Sequence, residues 1–261
     1  VQLFQDHRVE AKFGPLFVRV WTQKSAGVPI LLLHDSLGSV QLWRDFPQVL
    51  AQASGRPVIA YDRAGFGQSV VRQAPISADF ILAEAEEGIV AVMEALGLKQ
   101  VILFGHSVGG GMALSAAATL GDRIAGVVTV AAQSFVEDHT LAGVRQAKAA
   151  FAQAGQVDRL ARYHGERAPW VLAAWIETWL NPNYADWSLR DLLPRITCPV
   201  LAMHGADDEF GTLAHPEMIA ERVSGVSRLR VFEGVAHMPH REATSDLLEE
   251  VRAFLNMMPS A

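Results

Sequence analysis

The chain has 261 residues, half of them apolar, which suits one large domain with a substantial core and room for an inserted subdomain. A net charge of −6 without any run of Lys and Arg excludes the basic stripe of a nucleic-acid binder, and no uncharged apolar run reaches the ~20 residues that cross a bilayer. Cys198 is the only cysteine, so an internal disulfide and a zinc–thiolate cluster are excluded.

From Val1 the chain opens with mixed polar residues rather than a leader, and with the lone cysteine this predicts a soluble protein of a reducing, cytoplasmic compartment. Strands are predicted at 17–21, 29–33 and 57–61. A helix is predicted over 78–96, where Leu82, Ala85, Ile89, Met93 and Leu96 share one face and Ser77 is the expected N-cap. Strands follow at 101–104 and 126–130. From 134 to 193 the pattern is helical, and the stretch holds Trp170, Trp175, Trp179 and Trp187, four of the six tryptophans. Strands return at 199–203 and 229–232, and Leu248, Val251 and Leu255 stripe a last helix. Continuous apolar runs such as ILLLH and VILFG suit strands buried on both faces. The expected class is therefore α/β, a mostly parallel sheet flanked by helices, with a core from 1–133 and 195–261 and a helical insertion at 134–194.

Gly105-His106-Ser107-Val108-Gly109 has the form G-x-S-x-G, after a predicted strand and before the apolar helix MALSAAATL. In that setting the serine sits on a tight turn, and the helix N-terminus behind it favours negative charge developing there. An ordinary βα turn is the bland alternative. A serine hydroxyl needs a base, and the base an orienting carboxylate. LAMHGADDEFG offers Asp207, Asp208 and Glu209 just past one strand, and VFEGVAHMPH offers His237 just past another. Both are strand ends, where α/β sheets build their sites. His237 and His240 lie three apart without a further clear ligand, too little for a metal site. No cofactor is expected either, because AGFGQS lacks the full G-x-G-x-x-G form and its βαβ setting.

These motifs resemble the α/β-hydrolase fold family over about residues 29–255. The resemblance implies Asp208 as the acid, three residues after the Gly205 that ends its strand, leaving Asp207 and Glu209 to turn chemistry. It implies an oxyanion hole from the backbone N–H groups of Val108 and Ser36, the latter in His34-Asp35-Ser36-Leu37-Gly38-Ser39. Asp35 stands where relatives carry glycine, and asparate's tolerance of left-handed backbone is expected to keep the turn. YDRAGFGQS, 61–69, is typical of the family as a structural loop. The insertion is expected to cap the site, with Trp175 and Trp179 on one helix face either lining an apolar pocket or packing the cap onto the core. Arg162 and His164 are candidates for a substrate carboxylate, or simply surface residues. A serine nucleophile implies an acyl-enzyme from a small ester or lactone. The leading expectation is a carboxylesterase-type serine hydrolase. A lactonase or enol-lactonase, a carbon–carbon hydrolase and a non-catalytic ligand-binding protein of this fold are the alternatives.

Overall fold

Strands without a polar face must lie between two covering layers, and the computed structural model, which describes residues 4–23, 27–72 and 76–258, places them there. Its strands are β1 (Gln5–Val9), β2 (Leu16–Trp21), β3 (Ile30–Leu33), β4 (Val58–Tyr61), β5 (Val101–His106), β6 (Ile124–Val130), β7 (Val200–Gly205) and β8 (Ser227–Phe232). They form one sheet in the order β1-β2-β4-β3-β5-β6-β7-β8. The pairs β1–β2 and β2–β4 are antiparallel, and all the others are parallel. The chain runs from β3 to β4, then crosses back to lay β5 on the other side of β3. That reversal leaves a crevice at the C-terminal ends of β3 and β5, the usual place for a ligand in such sheets.

Helix α1 (Phe46–Ser54) follows β3, and α2 (Phe80–Glu84) and α3 (Val90–Ala95) follow β4. Helix α4 (Val108–Leu120) follows β5, and α5 (Asp138–Phe151), α6 (Gln156–His164) and α7 (Ala168–Trp179) follow β6. Helix α8 (Ala214–Arg222) follows β7, and α9 (Pro239–Glu242) and α10 (Thr244–Met257) follow β8. Successive strand residues face opposite ways, so Leu31, Leu33 and Leu103 join one core with α2, α4 and α8. Ile30, Leu32, Ile102 and Phe104 join the other with α1 and α10. Between β6 and β7 the strand-like pairing is a single bridge, Phe135 with Ser188. No helix among the described residues is long and apolar enough to cross a membrane.

Three local expectations need correction. Strand β1 was not anticipated, because QDHRV is polar. It is an edge strand with most side chains exposed, held by pairing with β2 and by the Arg19–Asp6 ion pair at 2.6 Å. The helix expected over 78–96 is interrupted by a π turn at Ala85–Ile89. Glu84 points inward there to accept the Tyr61 hydroxyl at 2.5 Å, and burial pushes its carboxyl up to about 7. A Cβ on Gly88 would strike that carboxylate, so the turn depends on glycine. Ser77 is not the N-cap: Asp79 holds that position, and no side chain caps the helix.

Candidate active site

Ser107 links β5 to α4 with φ 56° and ψ −126°, a left-handed conformation that costs a serine ~1–3 kcal/mol. The strain is held by close packing on both sides. A Cβ at Gly105 would collide with the Gly109 carbonyl, and one at Gly109 with the Leu33 carbonyl. The Ser107 amide donates to Val130 O at 2.9 Å. The turn thus lifts a 6 % exposed side chain to the wall of a cavity of about 360 Å³ at the switch point. Its hydroxyl donates to Gln133 Oε1 at 3.2 Å.

His237 lines the same cavity from the loop after β8. Its Nδ1–H donates to Asp208, with both carboxylate oxygens at 2.9 Å. Asp208 also accepts from the Phe210 amide at 2.7 Å, and His204 Nε2 stands 3.2 Å from its other oxygen. Burial pushes the Asp208 carboxyl up, but His237 and His204 hold it below the usual carboxylate range. Burial pushes His237 down, yet the Asp208 hydrogen bond and charge leave it above an ordinary histidine. The neighbouring acids behave differently. Asp207 and Glu209 are exposed, and Glu209 accepts the His237 amide at 3.3 Å. Among the described residues no hydrogen bond joins Ser107 to His237, as is common before substrate binds, and the serine hydroxyl is engaged by Gln133 instead.

The loop after β3 is fixed by Asp35 in a way the sequence did not suggest. Its backbone is not left-handed. Instead its side chain closes a turn by accepting the Leu37 amide at 2.8 Å, and its carbonyl accepts Arg63 Nη2 at 2.9 Å. The carboxylate stands 3.3 Å from His106 Nδ1, and His106 Nε2–H donates to the His237 carbonyl at 2.8 Å. Burial raises the Asp35 carboxyl, and His106 more than reverses that. One imidazole therefore ties the β3 loop to the His237 loop. Among the described residues the amides of Ser36 and Val108 have no hydrogen-bond partner in the protein, and both line one small recess with Trp175 and Trp179. His240 is buried with its ring 4.5 Å from that of His106 and 5.2 Å from Trp43, and no three His, Cys, Asp or Glu among the described residues converge as a metal-binding group.

Trp175 and Trp179 line the large cavity and also pack, Trp175 on Phe210 at 5.7 Å and Trp179 on Tyr184 at 5.6 Å. Neither expectation for His164 survives. It is wholly buried and accepts the Gly67 amide at 3.0 Å while donating to Leu37 O at 2.9 Å, away from the cavity. Arg162 is exposed and absent from the cavity wall, whereas Arg159, Tyr163 and Arg241 are on it. Gln133, His106, Arg159 and Arg241 were not anticipated. Gln133 had a usable signal, since it lies three residues past the end of β6.

The profile of the family described as alpha/beta hydrolase fold matches residues 28–191. A serine hydrolase, BPHL, of Mus musculus is 31 % identical over 238 residues, covering 87 % of this chain and 78 % of its own. Among solved structures, the esterase RhEst1 from Rhodococcus sp. ECU1013 superposes with a TM-score of 0.74 and 25 % identity over 97 % of this chain and 99 % of its own. The enol-lactonase from Burkholderia xenovorans LB400 has a TM-score of 0.75 at 19 % identity, over 96 % of this chain and all of its own, a likeness of fold.

Proposed function

The chain belongs to the α/β-hydrolase fold family and is a hydrolase, and from that premise we propose that it is a serine hydrolase cleaving a small carboxylic ester. The observation that carries the reading is the buried Asp208–His237 pair, 2.9 Å apart, opening on the cavity that Ser107 enters from a strained turn.

Ser107 Oγ attacks the ester carbonyl carbon while His237 Nε2 takes its proton. Asp208 holds the imidazole in the tautomer that leaves Nε2 unprotonated, and steadies the imidazolium that forms. The negative oxygen of the tetrahedral intermediate accepts from the free amides of Ser36 and Val108, with the N-terminus of α4 behind them. Collapse expels the alcohol, which takes the proton from His237 and leaves an acyl-Ser107. A water then gives a proton to His237 and attacks the acyl carbon; the acyl–Oγ bond breaks, His237 returns that proton to Ser107 Oγ, and the acid product departs.

Residues 134–194 serve as a cap over a core made of 1–133 and 195–261. Supporting this, α5 to α7 supply Thr140, Val144, Leu160 and Trp175 to the cavity wall above Ser107. Trp175 and Trp179 give an apolar surface for the acyl group.

The test is hydrolysis of a short-chain p-nitrophenyl ester, with fluorophosphonate labelling, by the unmodified protein and by Ser107→Ala. Turnover and labelling present in the first and lost in the second are the expected outcome. An unlabelled, inactive unmodified protein would refute the reading in favour of a ligand-binding protein on this fold.

A further inference from the structure

We propose that the substrate carries a carboxylate, held by Arg159 and Arg241 on the wall of the cavity that contains Ser107. This rests on the serine-hydrolase reading of that site and names its substrate class.

That wall is mainly apolar, yet two arginines line it. Arg159, on α6, is exposed, and among the described residues its side chain makes no hydrogen bond or ion pair. Arg241 lies four residues beyond His237. It gives Nη2–H to the Leu42 carbonyl at 2.5 Å, and among the described residues it has no carboxylate at ion-pair distance. The acid on the same wall, Asp35, is already engaged by His106 and by the Leu37 amide. Two arginines therefore line the cavity against one occupied carboxylate. Tyr163, one turn after Arg159, adds a hydroxyl to the same wall. The helix that carries Arg159 is anchored, because His164 ties α6 to the Leu37 carbonyl and the Gly67 amide.

A guanidinium presents planar paired donors that match a carboxylate. The ligand this favours is an ester or lactone with a carboxylate several bonds from the scissile carbonyl. The carboxylate belongs either to the acyl part or to the alcohol part.

Two matched pairs test this. Mono-p-nitrophenyl adipate against p-nitrophenyl hexanoate places the charge on the acyl side. 6-Acetoxyhexanoate against hexyl acetate places it on the alcohol side. At least one charged ester should show kcat/KM roughly tenfold or more above its neutral partner, the worth of one charge-assisted hydrogen bond. The preference should shrink with added salt, and the charged-to-neutral ratio should fall several-fold in Arg159→Gln and in Arg241→Gln. Arg159 holds nothing in place, so Arg159→Gln keeps the fold even where Arg241→Gln does not. Neutral esters equal to or better than both charged ones overturn the proposal, as does a ratio unmoved by both substitutions. Fluorophosphonate labelling in parallel separates the two levels. Labelling without a charge preference defeats this inference alone; absence of labelling defeats the hydrolase reading and this inference with it.

Discussion

Asp207, Asp208 and Glu209 are three acids in a row, and only burial and geometry separate them. Asp208 turns inward to both His237 and the Phe210 amide, while its neighbours face solvent. Asp208→Asn should therefore lower kcat on a p-nitrophenyl ester by about 10⁴-fold, since the amide favours the wrong imidazole tautomer. Asp207→Asn should stay within about twofold, a surface change of the ordinary kind. Equal losses in the two variants would contradict the assignment. The same pair sets the pH profile. His237 acts as a base only when neutral, and Asp208 raises its pKa. The acid limb of kcat/KM should thus lie above the ~6.5 of an ordinary histidine, with activity rising as pH rises through it. Fluorophosphonate labelling rates measured from pH 5 to 9 locate that limb. Of the site residues, Ser107 was legible as a candidate because its turn is local chemistry written in five consecutive residues. Arg159 and Arg241 were not, because nothing in their own neighbourhoods marks them. They matter only through what distant segments bring beside them.

At the scale of elements, α6 is held to the core by one imidazole used at both nitrogens. His164 accepts at Nδ1 and donates at Nε2, which fits the neutral ring alone. Burial lowers its pKa, with Arg167 and Arg63 acting in the same direction against Asp35 and the Leu37 carbonyl. Arg167 reinforces the attachment by donating to Ser69 O at 2.7 Å and to Gly67 O. In the unfolded chain the ring returns to ~6.5, so its contribution is whole above that pH. It is lost progressively as pH falls below ~6.5 and through the lower folded value. Thermal unfolding of the native chain should accordingly weaken between pH 7 and 5 more steeply than that of His164→Leu. Parallel curves for the two would remove His164 from the acid response. The sequence offers His164 as a carboxylate partner or a surface residue and not as this tie, because its partners lie ~100 residues away in chain order and no local pattern encodes them. Strand β1 carries no local signal for a related reason. Its stability comes from the ladder to β2 and not from side chains of its own.

For the whole molecule, the sheet is a wall with a core on each side, and its central strands serve both. Leu103 is fully buried in one core while Ile102 and Phe104, on the same strand, fill the other. Leu103→Ala should cost about 3 kcal/mol of global stability, from lost burial plus the void left in a well-packed sheet. Denaturant unfolding followed by tryptophan fluorescence and by far-UV circular dichroism would measure it. A loss below about 1 kcal/mol would mean the layer collapses around the gap. The sequence by itself determined the α/β class, seven of the strands among the described residues, the turn that strains Ser107 and the strand ends where acid and histidine sit. Those features follow from short-range rules: apolar continuity, glycine spacing and residue type at a turn. Asp208 was singled out in the sequence by the resemblance, whereas tertiary structure alone decided that Asp35 and His106 brace the loop after β3 and that two arginines share a wall with Ser107. Burial and charge pairing depend on which segments meet, and the crossing of the chain from β4 back to β5 determines that meeting.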